Sequence, residues 1–277
     1  MSIAQIYWDI NPEISSVFGL SLRYYGLLFG IGLVLSYLIL RGVFHREGFT
    51  TDYLDNLAFL GIIGMIIGAR LAHCLFYEPE YFLSRPLEML LPIGPSPNGG
   101  YMFTGYQGLA SHGGVGGAFL VVYLYVRRAK QPFFKTIDLF AIIAPLAGAF
   151  IRLANLMNSE IVGSPTNAAW AFIFVQYDGV PRHPAQLYEA MAYLICFAVV
   201  LYAYRKYYSR LGSGFLFGLS LSLAFLARFI IEFFKEHHVP FEETLWLNMG
   251  QILSIPMVLL GVGFMWWGWR RTEGNVK

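Results

Sequence analysis

Tyr24 to Leu40, Leu211 to Ala227 and Leu245 to Trp269 are apolar blocks that contain no Asp, Glu, Lys or Arg at all. A helix needs about 20 apolar residues to cross the hydrocarbon core of a bilayer. One such block is compatible with a buried core helix, but a series of them is not. Of the 277 residues, 57% are hydrophobic and 13% charged, against roughly a quarter charged in a typical soluble protein. The chain reads as all-α, a polytopic membrane helical bundle.

Hydropathy and punctuation predict seven spans, at about 20–41, 56–77, 112–129, 137–158, 186–205, 213–234 and 246–269, in a single integral membrane domain covering 1–277. The third is short and rich in glycine. Between the second and third lies a proline- and glycine-rich segment, 78–111, read as an irregular or partly re-entrant loop. Met1 to Pro12 carries no basic cluster ahead of an apolar run, so the first span is expected to act as its own insertion signal. Cys74 and Cys196 fall within spans and read as small buried apolar residues rather than a disulfide, a metal pair or a nucleophile.

Lys and Arg mark the cytoplasmic side of a membrane protein. Twelve of them fall in one set of connections and the C-terminal tail: Arg41 and Arg46, the group from Arg127 to Lys135, the group from Arg205 to Arg210, and Arg270, Arg271 and Lys277. The alternate connections hold only three, Arg85, Arg182 and Lys235. The expected topology is therefore N-terminus outside and C-terminus cytoplasmic. The net charge of +2 is too small to suggest a nucleic-acid partner, and none is expected.

Four arginines, Arg23, Arg70, Arg152 and Arg228, lie in or at the edges of spans, where ionisable groups face a protein interior or a hydrated cavity. All four fall in the outward half, as do Tyr25, His73, His112, Asn155, Asn158, Glu160, His183, Glu189, Glu232 and Gln251. A polar cavity opening to the outer face accounts for the set.

The densest cluster runs from Arg152 through Asn155 and Asn158 to Glu160 and Gly163. Arg152 and Asn155 share a helix face, and Asn158 continues it. A guanidinium with two amides suits phosphate or ester oxygens; bundle-holding interhelical hydrogen bonds are the plainer alternative. Arg228 and Glu232 are four apart, which favours an intrahelical ion pair. Ser111-His112-Gly113-Gly114 opens the third span, where glycines permit close approach and free N–H groups favour an anion. Arg182-His183-Pro184-Ala185-Gln186-Leu187-Tyr188-Glu189 opens the fifth, with Gln186 a candidate donor to substrate. There is no His-Glu-x-x-His and no Walker A lysine motif, which argues against zinc proteolysis and direct ATP use. Gly212-Ser213-Gly214 reads as a turn. A multi-pass transporter of an anionic solute is the rival function on these residues alone.

Taken in order, the motifs Arg23-Tyr24-Tyr25-Gly26, Gly68-Ala69-Arg70, Ser111 to Gly114, Arg152 to Gly163, His183 to Glu189, Arg228-Phe229-Ile230-Ile231-Glu232 and Met249 to Pro256 resemble the prokaryotic phosphatidylglycerol–prolipoprotein diacylglyceryl transferases over nearly the whole chain. The resemblance implies an enzyme of the bacterial inner membrane, active toward the outer leaflet. Phosphatidylglycerol would be the donor and the lipobox cysteine thiol of a prolipoprotein signal peptide the acceptor. The products would be a thioether and glycerol 1-phosphate, with no metal or soluble cofactor. Its functional residues match Tyr25, His112, Arg152, Asn155, Glu160, Gly163, Arg228 and Glu232. Relatives commonly have glycine at Ala154 and Ser159, and often a tyrosine at Ala224.

In such a reaction a thiol with pKa about 8.5 must first lose its proton. Its sulfur then displaces a phosphate monoester from an sp3 carbon. Arg152 and Arg228 suit the charge building on the leaving group. Either His112 or Glu160 could take the thiol proton, while Tyr25 and Asn155 would orient the headgroup.

Overall fold

The computed structural model describes residues 5–17, 20–96, 99–104, 108–236 and 246–274. Its helices are α1 (Tyr24–Arg46), α2 (Thr51–Phe76), α3 (Pro79–Leu83), α4 (Pro86–Leu90), α5 (Ser111–Arg128), α6 (Phe133–Met157), α7 (Ala185–Tyr207), α8 (Phe215–Ile231) and α9 (Met249–Gly274). Six of them (α1, α2, α6, α7, α8 and α9) are long and apolar enough to cross a membrane. The third expected span is helical too, as the 18-residue α5. Its four glycines, His112, Arg127 and Arg128 keep it less apolar than the six. Large side chains such as Val34, Phe59 and Leu259 point outward along the long helices, an arrangement that suits a lipid surround.

The chain divides into two compact units, residues 44–136 and residues 1–43 with 137–277. In the first unit, α2 packs against α5 through facing glycines. A Cβ on Gly68 would strike the carbonyl of Gly113, and one on Gly117 the carbonyl of Gly64. Small residues four apart let helix backbones touch where no hydrophobic effect draws helices together. The close approach expected of the glycines that open α5 is thus used for helix packing.

Part of the loop expected to be irregular is ordered in this unit. Pro79 and Pro86 start α3 and α4, positions where a missing N–H costs nothing. Strands β4 (Ile93–Pro95) and β5 (Tyr101–Phe103) form a hairpin. The buried Arg70 donates to the carbonyls of Glu88 (2.6 Å), Met89 (3.2 Å) and Gly108 (3.4 Å), and lies over the Phe82 ring. Arg70 is thus a clamp on this loop, and His73 pairs with Glu78 at 3.3 Å.

The second unit holds the remaining strands, which the all-α reading missed because they are short and lie outside the spans. Strand β1 (Ile6–Trp8) pairs in parallel with β6 (Phe172–Phe174), which pairs antiparallel with β7 (Pro181–Arg182). Strands β2 (Glu13–Val17) and β3 (Leu20–Arg23) form a hairpin leading directly into α1, so the first helix begins later than hydropathy predicts. Phe172 and Phe174 form a small core with Leu156 and Val162, against which Trp8 and Leu187 pack. The Trp8 indole donates to the Leu156 carbonyl at 3.0 Å, satisfying one of the last acceptors of α6.

At the opposite end of α6, the fully buried Asp138 caps α8 across helices. Its two oxygens accept from the N–H groups of Gly214 (2.7 Å) and Phe217 (2.8 Å). Gly214 ends the expected turn with φ at +100°, where a side chain would be strained. A carboxylate at a helix N-terminus is favoured by both the free donors and the helix dipole.

Candidate active site

The end of α6 builds the first wall of the site. Glu160 N–H donates to the Asn155 carbonyl and Ser159 N–H to that of Leu156, the paired bonds of a Schellman cap. The cap requires a left-handed residue, and here it is Ser159, with φ at +53°. Ile161 follows at +56°, so Glu160 sits on an arch flanked by two strained residues. Strain of this kind is kept where surrounding structure over-determines it.

Several contacts hold the arch. Asn155 and Asn158 each donate to one oxygen of the Glu160 carboxylate at 3.0 Å. Gln186, fully buried, donates to the Glu160 carbonyl at 2.6 Å. Arg152 Nη1 donates to Asn155 Oδ1 at 3.3 Å. Arg152 and Asn155 thus meet on one face of α6, and the amides of Asn155 and of Asn158, just past the helix end, grip the protein's own carboxylate. Glu160 itself is exposed, at the edge of an open cavity of about 450 Å³ that Tyr177 and Glu236 also line.

Behind the arch runs a chain of alternating charges. Arg152 Nε lies 2.8 Å from Glu189 Oε2, Lys235 Nζ 2.9 Å from Glu189 Oε1, and Lys235 Nζ 3.2 Å from Glu232 Oε2. Glu189 is fully buried, and Lys235 and Glu232 nearly so. The Arg152 contact is Coulombic rather than an aligned hydrogen bond, since Glu189 Oε2 accepts no hydrogen bond. Gly250 makes room for this chain, because a Cβ there would collide with the Glu232 carboxylate.

The expected Arg228–Glu232 ion pair does not form. Helix α8 ends at Ile231, and Glu232 opens a 3-10 turn that sends its carboxylate to Lys235, three residues on. Arg228 is left without a carboxylate, and its buried Nε has no acceptor among the described residues. The two cations and two anions of the chain balance one another. Arg228 adds a cation that none of these ion pairs takes up.

Tyr25, in the first turn of α1, lies in the field of Glu160 and Arg152, so the structure brings it to the same site. Gly163 is used by the backbone: its N–H donates to the His183 carbonyl at 3.0 Å. A Cβ there would strike that carbonyl and approach the Phe234 carbonyl to 2.6 Å. His112 lies apart in the sequence division, in the first turn of α5 within the unit of residues 44–136.

Arg182 fastens the arch from the other side. It donates to the Gly163 carbonyl (3.0 Å), to Asp178 (2.6 Å) and to Glu236 (3.1 Å). The Arg182 hydrogen bond holds the Asp178 carboxyl below its ordinary pKa. Burial holds His183 below its own. Spacing did not reveal the parts played by Glu189 and Lys235, although the i, i+3 separation of Glu232 and Lys235 was a usable signal. No group of three or more His, Cys, Asp or Glu suited to a metal occurs among the described residues, and both cysteines are buried and free.

Comparison with known proteins gives one family. The model of the family described as prolipoprotein diacylglyceryl transferase matches residues 12–267. The chain is 48% identical over 263 residues to the phosphatidylglycerol–prolipoprotein diacylglyceryl transferase of Bacteroides fragilis, covering 95% of each protein. It is 41% identical over 261 residues to the enzyme of that name from Tolumonas auensis, covering 94% of this chain and 96% of the other. For the Chloroherpeton thalassium enzyme the identity is 40% over 258 residues, covering 93% and 92%.

Proposed function

The chain belongs to the prolipoprotein diacylglyceryl transferase family, and from that premise we propose how it transfers the diacylglyceryl group of phosphatidylglycerol to a prolipoprotein. The acceptor is the lipobox cysteine of an exported precursor, and the reaction is the first step of lipoprotein maturation. The observation that carries the mechanism is Arg228, a half-buried cation whose buried Nε has no acceptor among the described residues, beside a charge-balanced chain.

The thiolate sulfur attacks the glyceryl carbon, the C–O bond to phosphate breaks, and its electron pair stays on the phosphate oxygen. Arg228 and the free edge of Arg152 stabilise the growing negative charge, an effect enlarged where water is excluded. Glu189, itself held by Lys235, fixes Arg152, and Lys235 takes up Glu232, so that Arg228 is not neutralised. Tyr25 orients the headgroup. Glu160, exposed on its arch, or His112 takes the thiol proton. Asn155, Asn158, Gln186 and Gly163 keep Glu160 in place.

Seven spans, with α5 as the third, give an outside N-terminus and a cytoplasmic C-terminus in the inner membrane. Twelve basic residues against three support this orientation. All three are ion-paired with carboxylates, Arg85 with Glu88, Arg182 with Asp178 and Lys235 with Glu189, which lowers the free positive charge on the outer side further. The polar residues of the site cluster at the ends of α6 and α8 and the start of α7, unlike the midplane site of a transporter.

The test is to incubate the purified protein with phosphatidylglycerol vesicles and a lipobox peptide, then weigh the peptide by mass spectrometry. A diacylglyceryl adduct on cysteine, matched by released glycerol 1-phosphate, is expected; an unmodified peptide refutes the assignment. For the orientation, a reporter active only outside the cytoplasm should work after residue 95 or 172 and fail after 131 or 277.

A further inference from the structure

Tyr193 stands on α7 one turn after Glu189, and its ring packs against Gly148 on α6. A Cβ on Gly148 would lie 3.2 Å from the ring Cδ2 and 3.4 Å from Cε2. Gly148 precedes Arg152 by four residues, just as Tyr193 follows Glu189 by four. The Gly148–Tyr193 contact and the Arg152–Glu189 ion pair are therefore successive rungs between the same two helices.

This register sets the phenol among charges. Its hydroxyl lies within hydrogen-bonding reach of Arg152 and in the fields of Glu189 and Arg228. A guanidinium has donors only, so against Arg152 the phenol oxygen must accept. Its own proton is then free to point elsewhere. Arg152 directs Nε at Glu189 and Nη1 at Asn155, and Arg228 Nε has no acceptor among the described residues. Buried donors without acceptors are exceptional. The phenol on α7 is thus coupled to guanidinium donors on both α6 and α8.

We propose that the Tyr193 hydroxyl is a third donor, with Arg152 and Arg228, to the phosphate of phosphatidylglycerol. The proposal rests on the transferase reading above. As sulfur bonds to the glyceryl carbon and the C–O bond breaks, the leaving phosphate gains charge and the phenol hydrogen bond strengthens. Tyr193 keeps its proton throughout, and glycerol 1-phosphate departs with the electron pair.

Tyr193→Phe is the direct test, because the ring stays over Gly148 and only the hydroxyl is lost. A hydrogen bond to a charged group is worth enough that kcat should fall about 10- to 100-fold. Inhibition by added glycerol 1-phosphate should weaken by a similar factor, with thermal unfolding unchanged. Gly148→Ala shifts the ring, and with it the hydroxyl, by a few tenths of an ångström, so it should slow wild type and add nothing in the Tyr193→Phe background. Wild-type kinetics for Tyr193→Phe, or slower turnover with unchanged glycerol 1-phosphate inhibition, would overturn the proposal. Should the wild type itself modify no peptide, the transferase reading fails instead.

Discussion

The Glu189 carboxylate on α7 faces Arg152 on α6 at 2.8 Å with one oxygen. With the other it accepts from Lys235 at 2.9 Å. One fully buried anion thereby holds two cations from distant parts of the chain. Removing one partner of a buried pair leaves an uncompensated charge and costs about 3–5 kcal/mol. Glu189→Gln should therefore lower the unfolding temperature in detergent sharply and reduce transfer. Adding Arg152→Met should recover part of the stability, because Arg152 is the cation left without its carboxylate, whereas Lys235 keeps Glu232. A single variant as stable as wild type would show that the chain of charges is not structural.

Ser159 occupies a left-handed position with a buried hydroxyl that has no hydrogen-bond partner. The left-handed region costs a residue with a Cβ roughly 1–2 kcal/mol. Ser159→Gly relieves that strain and should stabilise the protein by about 0.5–1 kcal/mol after the larger chain entropy of glycine is subtracted. Thermal unfolding measures it, and a lower midpoint would contradict the Schellman geometry at the end of α6.

The α2–α5 contact leaves no room for side chains on its glycines. Gly68→Val or Gly113→Val should force the helices apart, as the Cβ of either meets the carbonyl of the other. Overpacking of this kind typically costs 1–3 kcal/mol. Cysteine pairs placed across α2 and α5 should crosslink in wild type and lose efficiency in either variant. Unchanged crosslinking would mean that the glycines serve something other than packing.

Acid should loosen the segment that carries Gly163 and Arg182. Asp178 is held below the ordinary carboxylate value of 3.8, first by its hydrogen bond from Arg182. Its contribution is present above that value and lost as pH falls through the lower folded one. His183 is held below 6.5 by burial. Below 6.5 the unfolded chain therefore takes up a proton that the folded chain resists. Both effects weaken the fold on acidification, His183 first. Hydrogen exchange across 159–183 should accelerate once the pH drops below 6.5, and His183→Gln should delay the onset. Protection that grows with acid would contradict the sign.

Six of the spans and the α6 cluster were legible because both are local. Long apolar blocks declare themselves, and the three-residue spacing of Arg152, Asn155 and Asn158 defines a face without tertiary information. Pairings between distant segments were not legible. Arg70 looked like a cavity arginine, yet its guanidinium is taken up by carbonyls of the loop that follows α2. Arg228 and Glu232 had ideal helical spacing, but the helix ends between them and Lys235 is the partner that wins. Residues 20–23 are apolar enough to start a span but pair as a strand with residues 13–17, a choice that depends on the partner strand.

The most direct measurement is the single-turnover rate of diacylglyceryl transfer from phosphatidylglycerol to a lipobox peptide, for wild type, Arg228→Lys and Arg228→Gln at matched amounts of folded protein. Lysine keeps the charge but not the planar fork, and glutamine keeps neither. Loss of a donor aimed at developing charge costs about 10²–10³ in rate. The expected result is fast product formation by wild type and losses of that order in both variants, larger for glutamine. Equal rates in all three proteins would remove Arg228 from the reaction and contradict the account.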